Sequence, residues 1–566
     1  MAEPINAQNN STEESEQNNP SPNFPGSEGR LKIAALISLI VCLLIYVLRL
    51  DRVVGLFVDD GWYILLAKSL ATGHGYSLIN SPTAGILPLY PPAYPFLLSL
   101  FYRILPDFPG NVWLLKSVSI AAMMGVGIIG YRYFVKERGL PPLVALGICV
   151  ASVLSPPLVF MATSTMMSEC VFALIFLATV VVMEKCVRSE NQSRQLQLAA
   201  LGAVLASVGF LTRSIAISLI AAGFFYLLKD RLIKPAIVFT VIVAALCGPW
   251  VLYTRLHTPT PEQQTEQGGH IVLPYTKQFW QKRAGFSFSG NITAAELPER
   301  VVNNAIEISG RDIGRIVVTP LFEALRDPYQ EAQKDSVKQG GRGDTWIGSF
   351  FLSIFAIIGL IVAARKKMTM AEFAIPLTLA VTALWPWETF RFVLPLIPFV
   401  IFYFVLGIQE LIAFVQRVRQ INNEAAAWKV SLVIVVLIVA VNIYGNINYI
   451  LKTGDVLDRP QWLQTFDEAE AMLKWVKENV PQTDTIATLN PPLVYLFTGH
   501  KTISSDFPAE NWENWKRLGV RYVVKAAVYG ETPDSSEQKF KVVYRARGRV
   551  NFRVVDLGPV ESRPNW

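Results

Sequence analysis

Long apolar runs separated by short polar ones set the pattern of this chain, recurring at 31–50, 112–134, 141–161, 169–184, 196–212, 214–228, 235–253, 346–364, 370–385, 392–413 and 429–450. Each holds roughly 16 to 22 mostly apolar residues, the length a helix needs to cross hydrocarbon, so the pattern predicts about eleven transmembrane helices. Arg49-Leu50-Asp51-Arg52 follows the first run where a signal peptide would carry a small-residue cleavage site, so this run reads as an uncleaved anchor. Two long polar interruptions, 51–111 and 254–345, divide the series. Beyond 450 the pattern becomes that of a soluble α/β unit. A helical Trp462 to Val480 precedes Thr485-Ile486-Ala487-Thr488, then Asn490-Pro491-Pro492, a second helix near 509–518, and strand-like Tyr522 to Val524, Val542 to Tyr544 and Phe552 to Val555. The first thirty residues are rich in Asn, Gln, Ser, Glu and Pro and carry too little apolar surface to offset the entropy of ordering. The expected organisation is a disordered cytoplasmic tail at 1–30, a helical membrane domain at 31–450 and a small extracytoplasmic α/β domain at 451–566.

Composition supports the membrane reading. Of 566 residues 52% are hydrophobic and only 17% charged, a balance that a water-soluble surface could scarcely accommodate. A net charge of +7 invites a nucleic-acid partner, but the positions of the cations exclude one. Lys136-Glu137-Arg138, the stretch Lys185 to Arg194, Lys229 to Lys234, Arg365-Lys366-Lys367 and Arg417 to Arg419 fall in short loops that alternate along the chain. The positive-inside rule puts those loops and the N-terminus in the cytoplasm. Residues 51–111, 162–168, 254–345, 385–391 and 451–566 then lie outside; the expected setting, which this rule does not itself supply, is a bacterial inner membrane with these segments on the periplasmic face. The five cysteines, Cys42, Cys149, Cys170, Cys186 and Cys247, sit in apolar spans without C-x-x-C spacing and read as buried small hydrophobes.

The first outer loop carries the sharpest chemistry. Asp59-Asp60-Gly61-Trp62-Tyr63 stands about ten residues past the first span, where charge must face water, a partner or a substrate. The acids also suit the N-terminus of a short helix ended by Gly73-His74-Gly75. Tyr90-Pro91-Pro92 then leads into a second short helix, about 93–105, expected to lie along the interface. Glu169 begins the fourth span, and Arg213, Arg255 and Arg391 lie at the outer ends of the fifth, seventh and tenth.

These residues resemble the GT-C-fold glycosyltransferases that take sugars from polyprenyl-phosphate carriers, notably the protein O-mannosyltransferases and the lipid A aminoarabinose transferases. The resemblance covers most of the chain. It rests on the acidic loop-one motif, Tyr90-Pro91-Pro92, Ser168-Glu169, Leu211-Thr212-Arg213, Pro249-Trp250 with Arg255, and Glu388-Thr389-Phe390-Arg391-Phe392-Val393-Leu394-Pro395, in that order along the spans. It implies an inverting transfer in which a loop-one aspartate acts on the acceptor nucleophile and the lipid phosphate departs. It favours Asp59, the first acid of the motif, over Asp60. The partners it implies are a polyprenyl-phosphate sugar, an extracytoplasmic acceptor (protein, lipid or polysaccharide) and the surrounding lipids.

Elementary chemistry is consistent with those roles. A hydroxyl or amine acceptor needs a general base, which Asp59 or Asp60 would supply, with Glu169 orienting the acceptor. A departing lipid phosphate needs waiting cations, for which Arg213, Arg255, Arg391 and the weaker candidate His74 are expected. Against this stand helix capping by the acids and snorkelling or local pairing by the arginines, for instance Arg391 with Glu388. Asp59, Asp60 and Glu169 are hard oxygen donors that would suit Mg²⁺ or Mn²⁺ if a metal is bound. The outer loop 254–345 is expected to lie over the catalytic cavity. The rival functions are a polytopic transporter or flippase, and a catalytically silent structural relative.

Overall fold

The computed structural model describes all residues except 1–26, 268–270, 283–289, 319–344, 421–422, 455–458, 505–511, 527–538, 547, 549–551 and 559–566. The expectation for the N-terminal tail therefore lies outside the described residues except for its end, which already belongs to the helix Ser27–Arg49.

All eleven apolar runs lie on helix, yet among the described residues only eight helices combine the length and hydropathy needed to cross a membrane. The run 141–161 is a pair, Pro142–Val153 and Pro156–Thr163, bent by 49°, and would be a ninth span if crossed as one. Pro156 and Pro157 explain the bend, since each removes an amide donor and crowds the preceding turn. Runs 214–228 and 370–385 sit on shorter helices, Ser214–Lys229 and Met370–Leu384. The count of eleven is thus eight to nine by length. The two short helices pack on each other, with Ser218 Oγ 2.8 Å from Thr378 Oγ1.

Where helices approach most closely, glycine permits it. A Cβ on Gly359 would strike the carbonyl oxygen of Tyr403, and one on Gly407 that of Phe355, so Thr345–Lys366 and Ile397–Val418 meet backbone to backbone. In hydrocarbon, where apolar burial drives little association, such small-residue contact is a main source of helix pairing. The end of the bundle carrying the basic loops is closed by Arg138, which faces Glu184 at 3.4 Å and Glu372 at 3.1 Å and donates to Thr369 Oγ1.

The opposite end carries everything else. Loop one forms two helices, Asp59–Ala71 and Ala93–Ile104. Beyond the last span, which ends at Thr453, a helix Gln461–Asn479 leads into a five-stranded sheet of order β2-β1-β3-β5-β4. Its strands are β1 (Thr485–Thr488), β2 (Thr502–Ser504), β3 (Val520–Lys525), β4 (Lys541–Arg545) and β5 (Arg553–Asp556). The first three pair in parallel, and β4 and β5 are antiparallel additions. The helix Pro491–Thr498, between β1 and β2, packs on the loop-one helix Asp59–Ala71. One apolar core therefore runs from Trp62, Ile64 and Leu65 of loop one to Leu473, Leu493 and Val554 of the C-terminal unit.

Candidate functional site

The start of loop one is fixed at two points before any chemistry is considered. Lys116, fully buried in the second span, donates to the Asp51 carbonyl at 2.8 Å and to the Thr163 carbonyl at 2.7 Å, and lies 3.2 Å from Asp51 Oδ1. Asp60 is buried and accepts three backbone amides: Gly55 at 2.7 Å, Gly61 at 3.0 Å and Phe57 at 3.1 Å. Burial pushes its carboxyl up to about 6, against the pull of those amides. Asp60 thus ties residues 55–61 into one turn. Between these amides Val58 adopts φ 66°, a left-handed backbone that a β-branched residue accepts only under constraint. The strained residue immediately precedes Asp59.

Asp59 points the other way. Its Oδ1 accepts the Tyr90 hydroxyl at 2.9 Å, and its Oδ2 accepts Arg391 Nη1 at 2.9 Å. Arg391 also donates from Nε to Glu169 Oε1 at 2.6 Å, and the same oxygen lies 2.9 Å from Arg213 Nη1. Arg213 donates in addition to Ser168 Oγ at 3.1 Å, and its guanidinium rests over the Phe392 ring. Two carboxylates and two guanidiniums thereby meet from loop one, the start of Glu169–Arg188, the end of Gln192–Thr212 and the short helix Phe390–Val393. Glu169 Oε2 is buried with no hydrogen-bond partner among the described residues, and Arg391 Nη2 makes only a 3.4 Å contact to Met167 Sδ there.

Tyrosines enclose the cluster. Tyr63 packs edge-on to Tyr94 at 5.0 Å and sits 3.4 Å from Ser168 Oγ. Burial pushes the Tyr63 hydroxyl up to about 12, and burial together with the Asp59 charge raises Tyr90, so both keep their protons to donate. From the outer loop, Tyr275 in the helix Tyr275–Trp280 stands near enough to feel the charges of Arg213 and Asp59. That loop is stitched to loop one by Leu89 N donating to the Ile271 carbonyl at 2.8 Å and Asn80 Nδ2 donating to Gln267 Oε1 at 2.8 Å. Asn80 also donates to Thr502 Oγ1 of β2, joining three segments at one residue.

Of the candidates read from the sequence, Asp59, Glu169, Arg213 and Arg391 stand together. Asp60 adjoins them but spends its oxygens on the loop backbone. Arg255 is exposed in the last turn of Ile233–Leu256, and His74 is exposed with Nδ1 2.8 Å from Thr72 Oγ1; neither contacts the cluster among the described residues. Glu388, a possible local partner for Arg391, is exposed while Arg391 turns inward. Sequence reasoning passed over Tyr275 and Lys116. Tyr275 carries no local signal, whereas a lysine within an apolar span is one.

To ligate a divalent metal, Asp59 and Glu169 would have to yield contacts they now make to the arginines. The negative charges of Asp59 and Glu169 are matched by Arg391 and Arg213, and three of the four carboxylate oxygens already accept a bond. Among the described residues no three acidic, histidine or cysteine side chains are grouped to hold an ion.

No family model matches the chain, and no curated protein matches it. Solved structures do. ArnT from Cupriavidus metallidurans bound to undecaprenyl phosphate superposes with a TM-score of 0.56 at 12% identity, covering 92% of this chain and 97% of that one. The archaeal oligosaccharyltransferase AglB from Archaeoglobus fulgidus, in complex with an inhibitory peptide and a dolichol-phosphate, gives 0.52 at 14% identity, covering 87% and 69%. The same enzyme in complex with Zn and sulfate gives 0.52 at 13%, covering 86% and 67%. Identities this low establish architecture alone. By that architecture the chain is a polytopic helical membrane protein of GT-C-like fold.

Proposed function

We propose that the chain is a membrane glycosyltransferase that moves a sugar from a polyprenyl-phosphate carrier to an acceptor outside the cytoplasm, with inversion at the anomeric carbon. The observation that carries this reading is Arg391 bridging Asp59 and Glu169 while keeping its Nη2 edge for a further acceptor. The lipid phosphates named with the structures of like fold point to the same chemistry. The acceptor hydroxyl or amine would surrender its proton to Asp59 as it attacks the anomeric carbon. The bond from that carbon to the phosphate oxygen breaks, and the negative charge collecting on the phosphate is met by Arg391 and Arg213. A donor phosphate drawn to Arg391 competes with Asp59 for the guanidinium, so its arrival frees the base it needs. Glu169 holds both arginines in place, and its unpartnered oxygen is available to an acceptor group. We assign the reaction to the periplasmic face of a bacterial inner membrane.

Transport gains no comparable support, because Asp59, Glu169, Arg213 and Arg391 gather at one end of the bundle rather than in a central path. The test is purified protein with a panel of polyprenyl-phosphate sugars, scoring released lipid phosphate. Wild type should release it with one donor, and Asp59→Asn should lose turnover while inserting and purifying normally. Unaltered turnover in Asp59→Asn would remove Asp59 as base.

A further inference from the structure

Where the first and last spans end side by side, a second group of cations is gathered. The first span finishes at Arg49 and the last at Thr453. Between them and the start of the second span lies a cavity of about 450 Å³ whose wall includes Leu48, Arg49, Arg52, Trp113 and Arg459. It shares no residue with the Asp59–Glu169–Arg391 cluster.

Arg49 is built into this cavity. It is 6% exposed, and its guanidinium lies 3.9 Å from the centre of the Tyr449 ring. Its Nε and Nη1 have no hydrogen-bond partner among the described residues, nor has Arg459 Nε. A buried guanidinium in that condition is costly unless something supplies acceptors. The acids nearby are already engaged. Asp51 faces Lys116 at 3.2 Å and accepts the hydroxyls of Ser164 at 2.5 Å and Tyr449 at 2.8 Å. Asp467 faces Arg52 and Arg459, each at 2.5 Å, and Glu470 faces Arg52 at 2.8 Å. These groups comprise four cations (Arg49, Arg52, Lys116, Arg459) against three anions (Asp51, Asp467, Glu470), and the surplus positive charge belongs to Arg49.

The approach to the cavity is apolar. Leu44 and Leu48 on the first span, Trp113 on the second and Leu451 on the last are all strongly exposed, on helices of membrane-crossing length. A ligand suited to both parts carries a phosphate next to long hydrocarbon. A free phosphate would use the guanidinium but gain nothing from the wall.

We propose that this cavity binds the phosphate headgroup of an anionic membrane lipid, with Arg49 as the principal contact, Arg52 and Arg459 at the rim, and the acyl chains along Leu44, Leu48 and Leu451. The site is separate from the transfer chemistry and does not depend on it. Its occupancy bears on loop one all the same. Tyr449 stacks on Trp462 at 5.2 Å, Trp462 meets Phe160 at 5.4 Å, and Phe160 meets Phe57 at 5.7 Å, two residues before Asp59.

The test is native mass spectrometry of the full-length protein in neutral detergent, titrated separately with phosphatidylglycerol, phosphatidylcholine and inorganic phosphate. Wild type should bind phosphatidylglycerol more tightly than phosphatidylcholine and resist displacement by millimolar phosphate. Arg49→Gln should weaken phosphatidylglycerol about tenfold, as expected for losing one charged hydrogen-bonding group. Because the buried site could compromise folding in that variant, Arg52→Glu is the second arm; its side chain is 55% exposed, and it too should weaken the lipid. Wild-type affinity in both variants, equal binding of the two lipids, or full displacement by inorganic phosphate would each overturn the proposal.

Discussion

Arg391 spends Nε on Glu169, Nη1 on Asp59 and Nη2 on little more than a sulfur, and this division gives its replacement a distinctive signature. Arg391→Lys keeps the charge but cannot bridge two carboxylates and still present a donor edge. Losing one or two charge-assisted bonds should cost roughly 1.5 to 3 kcal/mol each, so turnover should fall at least about tenfold. Steady-state kinetics should also show the donor KM rising while acceptor affinity holds. Unchanged donor kinetics would leave Arg391 a structural clamp. A second residue, Asp312, lies beside this segment and accepts the Thr389 hydroxyl at 2.5 Å. Burial pushes its carboxyl up to about 7, so the folded protein holds this proton more tightly than the unfolded chain does. Stability from this group is therefore present at low pH and declines as pH climbs from the ordinary carboxylate range to about 7. Asp312→Asn cannot titrate there. Its Tm should gain on wild type by several degrees between about pH 5 and about pH 8, and a constant difference would show that Asp312 is not the titrating group.

Among the elements, the pair Thr345–Lys366 and Ile397–Val418 depends most visibly on single atoms. Gly359→Val would put a branched side chain against the Tyr403 carbonyl, forcing the helices apart. The second of these helices continues from the segment bearing Arg391, so both stability and turnover should fall; a wild-type Tm would mean the close approach is dispensable. The sequence announced these helices well, because hydrophobic run length is a local property. It announced their breaks less well. A hydropathy window passes through Ser155-Pro156-Pro157 unaltered, and it does not tell a short helix that pairs through Ser218 and Thr378 from a full crossing. The site was legible in the same partial way. Charge topology places Asp59, Glu169, Arg213 and Arg391 at one face, but the contact between Asp59 and Arg391, 332 positions apart, is a product of packing. The different position of Asp60 was hidden because it depends on which way three backbone amides point, and no residue type records that.

At the scale of the whole molecule, the described parts of both loops, the cluster and the C-terminal sheet occupy one end, and the basic loops the other. All five cysteines are buried, so introduced thiols can report sidedness against a low background. Ser193 and Thr483 are exposed at opposite ends. In intact cells an impermeant thiol reagent should label Thr483→Cys and leave Ser193→Cys untouched until the membrane is permeabilised. The reverse pattern would invert the assigned orientation.

Gly55 lends its amide to Asp60 and its carbonyl to Asn490, a residue 435 positions later, and Gly61 sits against Pro492 with barely room for a methyl group. Residues 490–492 must therefore be made before loop one acquires its final wall. During synthesis the spans can enter the membrane one after another with Asp59 present but unsupported. Only when the last sheet folds back does this wall come to rest against residues 55–61.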